Sequence, residues 1–264
     1  MRKINKVGLT VLAAVYCLGI SAGPSMAEDK PTADLTMGAY SKYVWRGFEL
    51  SKDSMVLEPS MTVAYKGFSA NLWGNLDTDH YTLGSNKWTE TDLTLAYERT
   101  VGPVDLSAGY IYYGVDSAVG ANTQEIYASA ALSTLLSPTL SVYRDIDAFP
   151  GWYITLAVSH SLPVTDKLNL DLGAHIAYLA ADDSSSYATN DGSTYSALHD
   201  GLLSASMTFP VNEYVSITPQ LNYSFPLSGD ARDLIKATNI ADENGNTGNN
   251  SSFIYGGVSA SIDF

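Results

Sequence analysis

The feature that most constrains this chain is an alternation of apolar and polar residues that recurs along the sequence after Ala33. A period of two places successive side chains on opposite faces of a β-strand, and no window of this region keeps a helical period over a useful length. Twelve segments alternate in this way, at residues 34–46, 54–66, 67–77, 89–99, 103–114, 123–134, 138–147, 151–162, 166–178, 195–209, 213–226 and 252–264. The sequence therefore predicts an all-β fold with an even number of strands.

The links between these segments alternate in length. After every even-numbered segment the link is short, as in Lys66-Gly67 and at 100–103, whereas most links after odd-numbered segments are long and polar, as at 181–194 and 227–251. The short link 148–150 is the exception. Short turns on one rim and long loops on the other are typical of outer-membrane barrels. We therefore predict a twelve-stranded antiparallel transmembrane β-barrel with its termini in the periplasm.

The alternation also separates two faces. In the first segment Leu35, Met37 and Ala39 share one face, which is predicted to face lipid or a core. Aromatic residues collect near segment ends, as two interfacial girdles require; they are Tyr43, Trp45, Tyr65, Phe68, Tyr97, Tyr178 and Phe209. A soluble β-sandwich would also alternate, but it needs neither aromatic borders nor one-sided loops. The combined pattern favours the barrel.

The first 27 residues have the three parts of a secretory signal peptide. A basic start is followed by an apolar stretch at 7–20 and by the cleavage site Ser25-Met26-Ala27. We expect residues 1–27 to be removed and residues 28–264 to form a single barrel domain in the outer membrane of a Gram-negative bacterium. The formal net charge of −14 argues against a nucleic-acid partner, which would require a basic surface.

The chain ends on an aromatic residue. Phe264 falls on the same face of the last segment as Ile254 and Ile262, so it is expected to be the final lipid-side residue of a strand that pairs with the first. Bacterial outer-membrane proteins typically end this way. That resemblance implies that the barrel assembly machinery reads Phe264 as part of its signal.

Several stretches resemble a known family, the TorF-type porins, which are also described as the Gcw_chp group of exported barrel proteins. The stretch "YSKYVWRGFELSKDS" is similar to that family's opening, and "KGFSANLWGNLD", "ETDLTLAYERTVGPVDLSAGYIYYG", "NTQEIYASAAL" and "LSPTLSVYRDID" look like its later strands in the same order. The resemblance spans most of the chain after the signal peptide. It implies a barrel with a pore, without naming a solute.

The predicted inner face is mostly acidic, and a negative lumen favours cations. Lys42 and Arg46 are its clearest cations; if Arg46 lies opposite Ser54 across the first hairpin, Lys42 falls opposite Glu58. We predict a constriction lined by Lys42, Arg46, Glu58, Glu90, Asp92 and Asp171. The alternative of equal weight is that the Lys42–Glu58 pair only holds the hairpin register.

The predicted function is passive diffusion of small hydrophilic solutes, with a preference for cations. The alternative is a non-conducting structural or adhesive barrel whose long loops bind a partner. We expect no enzymatic activity, because the histidines at 80, 160, 175 and 199 are far apart and "HSLP" lacks the motif of barrel phospholipases. No cofactor or metal is predicted, since "DTDH" at 77–80 and "DENGNTG" at 242–248 fit solvated loops better than a calcium site. The sequence leaves monomer and trimer as alternatives.

Three local features are expected to perturb the barrel. Pro59 and Pro219 fall inside segments, where each removes a ladder hydrogen bond and is expected to need a bulge. Arg144 and His160 fall on the apolar face, so either they lie near a rim or the register slips there. Residues 229–238 can form a helical turn or two that folds over or into the barrel mouth.

Overall fold

The structure, a computed structural model, describes residues 30–52, 54–80, 85–117, 120–166, 168–239 and 248–264. The predicted signal peptide and most of the segment 242–248 lie outside these residues. The described strands are β1 (Thr32–Tyr40), β2 (Val44–Trp45), β3 (Phe48–Glu49), β4 (Val56–Tyr65), β5 (Phe68–His80), β6 (Ser85–Val101), β7 (Val104–Val115), β8 (Thr123–Leu132), β9 (Thr139–Asp145), β10 (Gly151–Pro163), β11 (Asn169–Ala181), β12 (Ser196–Met207), β13 (Phe209–Pro210), β14 (Val215–Pro226) and β15 (Phe253–Asp263). One helix, α1 (Gly229–Ala237), completes the described elements. Within these residues, no helix has the length and apolarity that a membrane crossing requires.

Twelve of these strands form one closed antiparallel sheet, as predicted. From β4 to β12 each strand pairs with its neighbour in the chain, and β12 then pairs with β14, β14 with β15, and β15 with β1, which returns to β4. The seam between the chain ends is continuous, because Leu35 pairs with Ile262 and Met37 with Ala260. Closure matters because an open strand edge carries unpaired backbone groups that lipid cannot satisfy.

The two faces of the wall follow the predicted alternation. Leu35 and Met37 point outward and are 42% and 50% exposed, whereas Asp34 and Thr36 point inward and are each 6% exposed. Exposed aromatic residues border the outer face at both rims: Tyr65, Phe68, Tyr97, Phe209 and Tyr214 at the short turns, and Trp88, Trp152 and Tyr178 at the long loops. The apolar face therefore surrounds the barrel and does not fill it.

The short turns have the backbone that their residues predict. Tyr65 pairs with Phe68, so Lys66-Gly67 is a two-residue turn, and φ is 51° at Lys66 and 85° at Gly67. Positive φ at both central positions is the signature of a type I′ turn, whose twist matches that of the strands it joins. Gly102, in the next short turn, also has a positive φ of 60°.

The predicted bulges at the prolines are absent. Pairing on either side of Pro59 keeps one register, with Leu57 opposite Leu76 and Ser60 opposite Trp73. The same is true of Pro219, where the ladder between β12 and β14 continues in register into β13. Each proline therefore removes a rung without adding a residue, because its missing N–H affects only one of the strand's two neighbours.

The register does not slip at Arg144 or His160, because both lie near a rim. The Arg144 guanidinium donates two hydrogen bonds, of 2.7 and 2.5 Å, to the carboxylate of Asp182 in the loop after β11. This contact lowers the pKa of the Asp182 carboxyl below its usual value. At the other rim, His160 Nδ1 lies 2.8 Å from the carbonyl oxygen of Leu135.

Helix α1 forms within the last long loop, at the position predicted for a helical turn or two. Its N-cap is Ser228, whose hydroxyl accepts a 3.0 Å hydrogen bond from the Ala231 N–H. Such caps satisfy a backbone donor that has no partner within the helix. The helix buries Ala231, Leu234 and Ile235, so it packs against the barrel.

Candidate functional site

The segment between β1 and β4 leaves the wall and folds into the barrel. The predicted first strand, 34–46, is wrong beyond Tyr40: β1 ends there, and β2 and β3 form a separate hairpin. We call residues 43–50 the inner hairpin. Its tip is Arg46-Gly47, with φ of 48° and 79°, again a type I′ turn. Val44 and Phe48 are 1% and 6% exposed.

This hairpin also changes two predicted girdle positions. Tyr43 is buried and Trp45 is half-buried, so neither faces lipid. The Tyr43 ring lies 5.5 Å from the Trp73 ring, and its backbone N–H donates to the Ser51 hydroxyl. Tyr43 and Trp45 have the same parity as Leu35, Met37 and Ala39, and for that reason the sequence predicts them on the outer face.

At the tip, Arg46 forms the best-defined polar contact of the lumen. Its Nη1 and Nη2 donate to the two oxygens of Glu125 in β8, at 2.7 and 2.8 Å. The guanidinium carbon lies 4.1 Å from the ring centre of Tyr153 and 5.1 Å from that of Tyr143. The Tyr113 hydroxyl donates to Glu125 at 3.0 Å. A planar guanidinium is thus held by a carboxylate at its edge and by aromatic rings on its faces.

The backbone of the tip is held by β12. His199 Nε2 donates to the Arg46 carbonyl oxygen at 3.0 Å, and the Tyr195 hydroxyl lies 2.8 Å from His199 Nδ1. A side chain at Gly47 would lie 3.1 Å from both Asp200 Cβ and Ile235 Cδ1 of α1. The hairpin tip is therefore enclosed between the wall and the helix.

Further contacts close the long-loop end of the barrel. Phe48 stacks on Tyr187 of the loop after β11, with ring centres 5.9 Å apart. Burial raises the pKa of the Tyr187 phenol to about 12. Asp200 accepts hydrogen bonds from the Tyr153 hydroxyl at 2.9 Å and from His175 Nε2 at 3.0 Å. Loop, hairpin and helix together fill this half of the lumen.

The second predicted cation, Lys42, lies at the base of the hairpin. Its amine forms an ion pair with Glu49 and stands 5.7 Å from the ring centre of Phe253. The predicted pairing of Lys42 with Glu58 is wrong, because Glu58 lies opposite Gly38 in the β1–β4 ladder. Because β1 ends at Tyr40, Lys42 takes no part in the β1–β4 ladder. It forms its ion pair with Glu49 instead.

Three predicted acidic residues line the opposite wall. Glu58 in β4 and Glu90 and Asp92 in β6 are all buried, and Tyr43 donates to Glu90 at 3.0 Å. In the part of the chain that the structure describes, none of the three forms an ion pair with a lysine or arginine. We call Glu58, Glu90 and Asp92 the acidic wall. The hairpin cations do not pair with it, because Lys42 binds Glu49 and Arg46 binds Glu125.

Asp171 stands apart from this group. It lies near the start of β11, opposite Ser161 and Ser206, close to the short turns and far along the strand from the hairpin. The inner face at that end is built from small hydroxyl residues: Thr36, Ser60, Thr139, Ser141, Ser206, Ser259 and Ser261. The structure therefore brings five of the six predicted constriction residues to the hairpin level and places the sixth at the short-turn end, where Asp34 also faces the lumen.

Several residues of the site were missed by the sequence interpretation. The predicted constriction did not include Glu125, and Tyr143, Tyr153 and His199 were given no role. A signal was present, because Tyr143 and Tyr153 share the inner face with Asp145 and Thr155. Large aromatic residues on a polar face indicate that something packs inside the barrel. In the described segments, no three His, Cys, Asp or Glu side chains are grouped so that they could hold a metal ion.

Comparison with solved structures finds barrels with a similar fold. The chain is similar to a NanC porin, with a TM-score of 0.53 and 9% identity over 87% of this chain and 98% of that one. An anion-selective porin from Comamonas acidovorans (TM-score 0.37, 10% identity, 89% and 99% covered) and the outer-membrane channel DcaP of Acinetobacter baumannii (0.36, 12%, 89% and 96%) align less closely. Comparisons with protein-family models and with curated proteins give no match.

The fold is that of a twelve-stranded outer-membrane β-barrel of the porin type. Within this barrel the inner hairpin occupies the lumen, with its guanidinium bound to Glu125.

Proposed function

We propose that the protein is an outer-membrane channel for passive diffusion of small hydrophilic solutes, that it prefers cations, and that the inner hairpin forms its constriction. The observation that carries the proposal is the polar inner face, which runs from hydroxyl residues at the short-turn end to the three carboxyl groups of the acidic wall beside the hairpin. A hydrated polar lumen lowers the free energy of moving an ion across the membrane, and fixed charges select its sign.

The proposed path runs along the acidic wall. The hairpin tip is attached to the β8–β12 side through Glu125 and His199, whereas the acidic wall lies across β4 and β6. Glu58 Oε1 and Asp92 Oδ1 accept no hydrogen bond from the described protein. Where these buried side chains turn toward the lumen, their oxygens would replace part of a passing cation's hydration shell, and the ionised groups would repel an anion.

Further parts of the proposal concern location and family. A cleaved signal peptide over residues 1–27 would export the chain, and Phe264 would present the last strand to the barrel assembly machinery of a Gram-negative cell. The resemblance of "YSKYVWRGFELSKDS" and later stretches supports a place among the TorF-type porins. We assign no chemical reaction to the barrel.

The test is the reversal potential of refolded residues 28–264 in a planar bilayer under a salt gradient. We expect discrete conductance steps with cation selectivity, and a reduced cation preference in Glu58→Gln. The matched control is Asp171→Asn, which removes a carboxylate from the short-turn end, far along the strand from the hairpin, and is expected to change selectivity less. Insertion without conductance steps would refute the channel.

The second candidate is a non-conducting barrel whose loops bind a partner. The specific observation in its favour is that hairpin, α1 and the loop carrying Tyr187 together fill the long-loop end of the lumen. The same bilayer experiment separates the two, since this candidate predicts folded barrels without current.

A further inference from the structure

The group that holds the Arg46 guanidinium belongs almost entirely to the barrel wall. Glu125 is in β8, Tyr143 in β9 and Tyr153 in β10, and Tyr113 in β7 supports the carboxylate. We call Glu125, Tyr143 and Tyr153 the cage. Arg46 and Trp45, whose ring centre lies 4.4 Å from the guanidinium carbon, come from the segment between β1 and β4, so the three cage residues would remain in place if the hairpin moved.

The cage has the chemistry of a guanidinium receptor. Two parallel N–H···O bonds of 2.7 and 2.8 Å match the planar fork of a guanidinium to a carboxylate. The Tyr153 ring, 4.1 Å away, adds a cation–π contact to the face of that plane. An ammonium group is a compact charge and cannot form the same bidentate and stacked contacts.

The cage also requires a cation. Glu125 is 1% exposed, and its hydrogen-bond partners in the described chain are the Arg46 guanidinium and the Tyr113 hydroxyl. A buried carboxylate that loses its counter-ion is strongly destabilised, so the cage without Arg46 would take up a proton or another cation from solution. The tethered residue meanwhile occupies a left-handed backbone conformation, φ 48°, that non-glycine residues adopt at a cost.

We propose that the cage is a binding site for guanidinium cations, that Arg46 occupies it as a tethered ligand, and that guanidinium solutes compete with Arg46 and release the inner hairpin. Binding at the cage is independent of conduction. The consequence for transport, an opening of the constriction by such solutes, rests on the proposed channel function. A tethered group competes at an effective concentration on the order of millimolar, so free solutes are expected to act in that range.

The first test measures binding of methylguanidinium to the refolded barrel by titration calorimetry, with methylammonium as the charge-matched control. Arg46→Ala is expected to bind methylguanidinium at least tenfold more tightly than the wild type, and at least tenfold more tightly than it binds methylammonium. Arg46→Ala combined with Glu125→Gln is expected to lose this binding. Equal binding of the two cations, or no gain in Arg46→Ala, would overturn the proposal.

The second test uses the wild-type protein, so it does not depend on a variant that folds. Chymotrypsin cleavage within residues 43–48 reports release of the hairpin, and heat-modifiable migration on a gel confirms that the barrel is intact. We expect methylguanidinium at tens of millimolar to accelerate this cleavage and methylammonium to leave it unchanged. If neither cation, or both equally, accelerates cleavage, the tethered-ligand proposal is wrong.

These tests separate the site from the channel. If the barrels bind methylguanidinium but pass no current, the binding-site proposal stands and the proposed channel is refuted. Current through barrels in which methylguanidinium neither binds nor releases the hairpin would retain the channel and refute the cage.

Discussion

The contact between Arg46 and Glu125 is predicted to be the main lock of the inner hairpin. Their side chains are 6% and 2% exposed, so the pair lies in a poorly solvated environment. In Arg46→Ala the closed hairpin would bury Glu125 without a counter-ion, whereas the open hairpin would let water reach it. Breaking a buried pair by removing one partner costs about 3 kcal/mol or more, and 1.4 kcal/mol corresponds to tenfold in an equilibrium. We therefore expect the open population to rise by about 10²-fold.

Limited proteolysis measures this population directly. Tyr43, Trp45 and Phe48 are chymotrypsin sites within the hairpin, and cleavage of a transiently open segment tracks its equilibrium population when reclosing is fast. The cleavage rate at these sites should rise by about 10²-fold in Arg46→Ala. The combination with Glu125→Gln should raise it no further than the single change, because the two residues act as one contact.

The matched control is Arg144→Ala. It removes a bidentate arginine–carboxylate pair of similar geometry, but one at the outer rim with an exposed partner, where ion pairs contribute little. Cleavage of the hairpin should therefore change little. If Arg46→Ala is cleaved no faster than Arg144→Ala, the hairpin is held by its apolar side chains and not by the cage.

Two further predictions concern closure and assembly. In Gly257→Ala, the new Cβ would lie 2.0 Å from the Ala39 carbonyl oxygen across the β1–β15 seam. The yield of heat-modifiable folded barrel should therefore fall severalfold. The control Gly229→Ala should fold like the wild type, because the atom nearest to its new Cβ belongs to the flexible Arg232 side chain, 4.0 Å away. In Phe264→Ala, thermal stability in detergent should change little, because the side chain is 69% exposed. The amount of protein assembled into the outer membrane of cells should nevertheless drop. Equal losses in both measurements would assign Phe264 a packing role.

The sequence was sufficient to predict the barrel because its signals are local. Period-two alternation, short turns such as Lys66-Gly67 and long polar links each depend on neighbouring residues, and together they specify strand number and facing. The end of β1 could not be predicted in the same way. No glycine or proline interrupts the chain between Tyr40 and Arg46, and a strand in the wall and a hairpin in the lumen have the same period of two.

The site depended on contacts that no local pattern encodes. Arg46 and Glu125 are 79 residues apart, and Arg46 and His199 are 153 apart. Whether these residues come into contact depends on which part of the wall the hairpin packs against once the sheet has closed. For the prolines, a local rule predicted too much. Pro59 was expected to need a bulge, but a strand can lose one hydrogen bond to one neighbour and keep its register.

The inner hairpin follows directly on β1, and β1 is joined to β15, the last strand of the chain. The seam cannot form until β15, up to Asp263, is available for pairing, so the sheet remains open along this edge until β1 and β15 meet. Because the hairpin is attached to the strand that moves into the seam, we expect closure to carry Arg46 to Glu125 in the same step. The order in which the hairpin enters the lumen and the seam closes would then decide what occupies the lumen. A barrel that closed with its hairpin outside would have no Arg46 in the cage.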